Sequence, residues 1–133
     1  MLVDESPLVH RVIGCAISVH RALGPGLLES AYARCLAHEM AYQGIEFLRE
    51  YALPISYRGD LIDCGYRVDF VVAGELLLEV KAVDGLHPIH QAQVLTYLKL
   101  SGLEHGLLLN FNALRLVDGL KSVRLTRDAS ESL

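Results

Sequence analysis

One segment limits what this chain can fold into more than any other: YRVDFVVAGELLLEVKAV, residues 66–83. Its two apolar, β-branched halves read as strands joined by a tight turn, and strands this apolar are buried in a sheet. Yet Asp69 lies in the first half, and Glu79 and Lys81 lie in the second with one residue between them. A buried strand that carries such charges must offset a large desolvation cost, so the fold has to bring compensating groups to them.

Side chains alternate across a strand, which puts Leu77, Glu79 and Lys81 on one face and Leu76, Leu78 and Val80 on the other. If Ala73, Gly74 and Glu75 form a three-residue loop, Asp69 falls directly opposite Glu79, with Cβ atoms about 4.5–5.5 Å apart. A two-residue loop sends the two carboxylates to opposite faces. Carboxylates that close repel, and one takes up a proton unless a cation sits between them. A divalent ion is the natural cation: Mg²⁺ is held by one or two carboxylates, with water and substrate phosphate completing its shell. The backbone carbonyl of Val80 could supply a further oxygen. Lys81 beside such a cluster could orient or help deprotonate a bound water, or offset charge on a phosphorane-like transition state. Taken alone, the spacing fits a buried ion pair on a sheet face better than a catalytic centre, because short motifs recur by chance.

The flanking sequence supplies helices. Ser6-Pro7 pairs a capping hydroxyl with a proline suited to a first helical turn, and Leu8, Val9, Val12, Ile13, Ala16, Val19 and Leu23 recur at helical spacing. LGPG at 23–26 stops that helix. A second is expected over about 27–42, with Gly44 as its cap and Leu28, Tyr32, Cys35, Leu36 and Met40 facing inward. From Ile45 the period changes to alternation, which predicts three or four antiparallel strands broken near Pro54, Gly59 and Gly74. A third helix is expected over 88–100, closed by Gly102, then a buried strand at 105–111, an edge strand at 121–126 and a frayed tail at 127–133. The order α-α-β-β-β-α-β-β is that of a mixed α/β (α+β) fold in one domain spanning 1–133, with its core at about 20–126.

The 133 residues suffice for one real core, and 52% hydrophobic against 21% charged residues predicts packing rather than disorder. No apolar run approaches the roughly 20 residues of a membrane span, and the acidic MLVDESP start lacks a basic leader region. Cys15, Cys35 and Cys64 form no CxxC pair and read as buried thiols of a cytoplasmic protein. The formal net charge of −4 argues mildly against a nucleic-acid grip built on phosphate neutralisation. Any such role must draw on a local patch, on metal ions or on a partner chain.

Several motifs together resemble one family. Asp69 with Glu79-Val80-Lys81 is similar to the signature of the PD-(D/E)xK nuclease superfamily, and the expected element order is similar to its restriction-endonuclease-like αβββαβ core, a central mixed sheet flanked by helices. GLLESAY at 26–32 resembles the motif of the small GxxExxY proteins of that superfamily, and QVLTY at 93–97 resembles the QxxxY motif of RecB-type nucleases. Val68 stands where the superfamily's name has proline. The resemblance implies that Glu29, Asp69, Glu79 and the Val80 carbonyl hold Mg²⁺ or Mn²⁺, that Lys81 is the catalytic lysine, and that Gln93 and Tyr97 face the lysine or the substrate phosphate. It implies hydrolysis of DNA phosphodiester bonds by metal-activated water, with a slight tilt toward exonuclease action or single-stranded and branched ends. A homodimer or partner protein would complete the surface of so small and acidic a chain. The alternatives are a catalytically quiet binding or assembly module, or a hydrolase of RNA or another phosphate ester.

The remaining polar residues divide less sharply. His20 fits a donor behind the site or a helix-terminal histidine bonded to backbone, and Tyr32 fits packing against the sheet. His90 lies one turn from Gln93, where it could touch substrate, but HPIH at 87–90 is no zinc spacing. RGD at 58–60 reads as a hairpin turn. Arg49, Arg58 and Arg67 could line a phosphate track.

Overall fold

The computed structural model describes residues 6–126, so the expected frayed tail lies outside the described residues. Helix α1 (Pro7–Leu23) starts as the capping signal requires, with the Ser6 hydroxyl accepting from the Val9 N–H at 3.3 Å, and ends at Gly24 in a positive-φ conformation. Helix α2 (Glu29–Tyr42) follows after the LGPG loop. A five-stranded sheet contains β1 (Phe47–Ala52), β4 (Arg67–Val72), β5 (Leu76–Lys81), β6 (His105–Asn110) and β7 (Leu120–Arg124), in spatial order β1-β4-β5-β6-β7. Only β5 and β6 are parallel, and α3 (Pro88–Ser101) makes the crossover that a parallel pair demands. A short 3₁₀ turn, Leu116–Gly119, leads into the edge strand. This is a mixed α/β fold of restriction-endonuclease-like type, a five-stranded mixed sheet flanked by helices.

The sheet separates two apolar layers. Phe70, Val72, Leu76, Leu78 and Val80 pack with α1 and α2, while Val71, Leu77, Leu108 and Val123 pack with Val94, Tyr97 and Leu98 of α3. That division follows from alternation along the strands. At Gly106 the approach of helix to sheet is close: a Cβ there would lie 2.9 Å from Val94 Cγ1.

The structure departs from three expectations. Residues 45–83 hold five strands rather than three or four, because β2 (Ile55–Tyr57) and β3 (Asp60–Ile62) form a hairpin apart from the main sheet, turning through the positive-φ residues Arg58 and Gly59. Pro54 and Gly59 thus mark an excursion rather than breaks in one meander. On α2, Leu28 and Cys35 do not face inward; Leu28 precedes the helix and is 77% exposed. Among the cysteines only Cys15 is buried.

Candidate active site

The odd loop forms. Ala73 and Gly74 take the left-handed conformation, and the strands pair Phe70↔Leu78, Val71↔Leu77 and Val72↔Leu76. Continuing that register puts Asp69 opposite Glu79. Here the ladder stops, and the side chains take its place. Glu79 Oε1 accepts from the Asp69 N–H at 3.0 Å, and Asp69 Oδ2 accepts from the Val80 N–H at 2.7 Å. Each carboxylate therefore satisfies backbone of the other strand. On the far side of β4 the β1 ladder also skips this position, between Arg49↔Phe70 and Tyr51↔Val68, and the skipped residue, Glu50, has φ 52°. The disturbance reaches the core: Val68 and Val71 both pack in the α3 layer, while Phe70 packs in the other.

Burial of these acids is costly, and their proton affinities record it. Glu79, 5% exposed, is pushed up to about 8, first by burial and then by the charge of Asp69; the Asp69 N–H and Lys81 offset only part of this. Asp69 is pushed up to about 6 by burial, against the Val80 hydrogen bond, with the charges of Glu29 and Glu50 adding to the rise. Lys81 Nζ donates to Gln93 Oε1 at 3.2 Å and stands 3.9 Å from Glu79 Oε2. The ammonium at that distance does not bring either carboxylate back to its ordinary range.

The other expected residues gather around this pair to different degrees. Tyr97 is buried on α3, and burial together with the charges of Glu79, Tyr66 and Asp69 pushes its hydroxyl up. Gln93 lies one turn earlier on the same helix, in contact with the lysine. Glu29 is the exposed first residue of α2, close enough for its charge to act on both Asp69 and Glu79. Among the described residues, however, no three His, Cys, Asp or Glu side chains stand close enough to form a ready-made metal cluster.

GLLESAY has a physical explanation. Gly26 has φ 102°, a conformation that side chains disfavour, and its N–H donates to Asn112 Oδ1 at 3.0 Å. The Tyr32 hydroxyl, one turn after Glu29, donates to the Gly24 carbonyl and accepts from the Leu27 N–H, while its ring stacks on Phe111 at 4.8 Å. Tyr32 is thus a buried clamp on the loop that launches Glu29.

Both histidines are tied to backbone. His20 Nε2 is bonded to the Ala113 carbonyl at 2.8 Å, and His90 Nδ1 accepts from the His87 N–H at 3.0 Å in a capping box. Burial and then the charge of Lys81 lower the His90 pKa, so His90 lies within range of the lysine's charge. The arginines do not form one track: Arg67 pairs with Asp63 at 3.7 Å, and Arg49 lies over the Phe70 ring at 5.3 Å. Asn110, buried at the end of β6, binds the Val83 N–H and carbonyl, fixing the chain just after Lys81.

Two residues around the site escaped the sequence reading. Glu50 carries no signal, since only its skipped pairing brings it beside Asp69. Tyr66 had one, as an aromatic three residues before Asp69; its ring lies 6.4 Å from that of Tyr97. Two cavities of about 500 Å³ each are lined by neither Asp69, Glu79 nor Lys81. They lie around Gly74, at the opposite end of β5 from the lysine.

A three-stranded antiparallel run β1-β4-β5, a helical crossover to β6, and paired acids beside a lysine on the adjacent strands β4 and β5 make up a restriction-endonuclease-like arrangement. The family model of the PD-(D/E)XK nuclease superfamily matches residues 6–123, and the chain belongs to that superfamily. No curated protein and no solved structure matches it.

Proposed function

We propose that this protein is a metal-dependent DNA nuclease of the GxxExxY type, with Asp69, Glu79 and Lys81 at its centre. The observation that carries this reading is the interlocked pair of carboxylates, Glu79 buried and Asp69 half-buried, both with raised proton affinity, beside a lysine held by Gln93. The donor set fits a hard divalent cation: Asp69 and Glu79 each commit one oxygen to backbone, leaving Asp69 Oδ1 and Glu79 Oε2 as candidate ligands. The Val80 carbonyl and Glu29 would add to them. Bound there, Mg²⁺ or Mn²⁺ would supply charge neutralisation and a water acidic enough to ionise near neutral pH.

The chain's own groups do the rest. Gln93 orients the Lys81 amine toward the carboxylates, where it can hold the attacking water or a non-bridging phosphate oxygen. Tyr97 closes the site on the α3 side and is placed to hydrogen-bond the substrate phosphate, as in the QxxxY pattern. An oligomer or partner chain would extend the short binding surface.

Cleavage of labelled single-stranded, duplex and branched DNA, with RNA as comparison, tests the proposal. Activity should require Mg²⁺ or Mn²⁺, disappear in Asp69→Asn and fall by roughly 10²–10³-fold in Lys81→Ala, the scale of losing one aligned electrostatic group. Metal-dependent cleavage at the wild-type rate in Lys81→Ala would refute this site.

A further inference from the structure

Resting on that reading, we infer that Tyr66, extended by the β2–β3 hairpin, is a stacking platform for unpaired bases of the substrate strand. Tyr66 is 46% exposed, and its ring flanks Tyr97, whose hydroxyl feels the charges of Glu79 and Asp69. An exposed aromatic face thus borders the position where the scissile phosphate would bind.

Its placement is fixed by backbone. The Tyr66 carbonyl accepts from the Leu53 N–H at 3.0 Å and from Arg67 Nη1 at 2.9 Å, and the preceding Gly65 N–H is held by Asp63 Oδ1 at 2.9 Å. From this base the hairpin carries Tyr57, 61% exposed, and Leu61, 74% exposed, with Arg58 at its turn. Two strands alone are only marginally stable, so the apolar groups this arm presents to water are not explained by its own packing.

Charge and chemistry select the occupant. With a net charge of −4 and Arg67 already paired with Asp63, phosphate neutralisation offers this surface little. Aromatic stacking adds affinity through the bases rather than the phosphates, since every base has a π-face. In a duplex those faces are covered by neighbouring pairs. The platform therefore selects single strands and frayed or branched ends over intact duplex.

The chain contains no tryptophan, so Tyr66→Trp is a single-site reporter. Titrated with oligothymidylate in the cleavage-silent Asp69→Asn background, its fluorescence should be quenched, whereas blunt duplex should leave it unchanged. Tyr66→Ala should weaken oligothymidylate binding about tenfold, the scale of one lost stack, while Tyr66→Phe keeps it. Unchanged affinity in Tyr66→Ala, or equal quenching by duplex, overturns the platform. So does a concentration-dependent dimer that Tyr57→Ala and Tyr66→Ala dissolve, which would make this face a self-interface. The two readings fail separately: cleavage by wild-type protein with no Tyr66 effect removes only the platform, and quenching without any cleavage removes only the nuclease.

Discussion

Tyr32 touches neither carboxylate, yet it sets where the third one starts. Its hydroxyl is the partner of the Gly24 carbonyl and the Leu27 N–H, and α2 begins at Glu29, two residues beyond Leu27. Tyr32→Phe keeps the stack on Phe111 but leaves both backbone groups without that partner. It should cost about 1–3 kcal/mol in chemical denaturation and reduce cleavage through a displaced Glu29. Unaltered stability would show that water replaces the hydroxyl without loss. At this scale the sequence was most informative where a residue's type conflicts with its place. Asp69, Glu79 and Lys81 stood out because apolar strands should not hold them. Glu50 did not stand out: an acid in a polar, alternating stretch conflicts with nothing until its backbone turns to φ 52° beside Asp69.

Among the elements, those fixed by local rules were legible. The Ser6-Pro7 start, the Gly102 stop and the Ala73–Glu75 loop each follow from backbone chemistry, and that loop's odd length sets the register of the carboxylates. The turn at Arg58–Gly59 was legible as well, but the separation of the β2–β3 hairpin from the main sheet was not, because the alternation of Ile55–Tyr57 and Asp60–Ile62 is the same whether the strands join the sheet or leave it. Nor was the tight seating of α3, which depends on a glycine in a neighbouring strand. Gly106→Ala would set a methyl carbon 2.9 Å from Val94 Cγ1, displacing the helix that carries Gln93 and Tyr97. Overpacking of this kind costs roughly 1–3 kcal/mol, and cleavage should drop with it. Adding Val94→Ala makes room for the methyl, so the double variant should recover activity relative to Gly106→Ala, even if its total stability stays below wild type. If it recovers none, the defect lies in β6 rather than in the helix–sheet spacing.

For the molecule as a whole, the paired acids Asp69 and Glu79 oppose stability once they ionise. Asp69 rises from 3.8 to about 6 and Glu79 from 4.5 to about 8 on folding, so the folded protein keeps protons that the unfolded chain releases. Their contribution is fully present below the unfolded values, falls as pH rises through about 6, and is gone above about 8. For this coupled pair the loss is on the order of a few kcal/mol, a large share of a small domain's stability. Chelator-treated protein should therefore melt at a higher temperature at about pH 5.5 than at about pH 8.5, and Glu79→Gln, neutral throughout, should flatten that difference. A divalent ion would replace the protons. Mn²⁺ added at the higher pH should raise the melting temperature of wild type and leave Asp69→Asn nearly unmoved. If metal-free protein instead grew more stable with rising pH, the pair would be ionised and compensated without metal, as in a structural ion-pair network. Cost in the empty state and gain on loading would arise from the same two side chains, one on each of the adjacent strands β4 and β5.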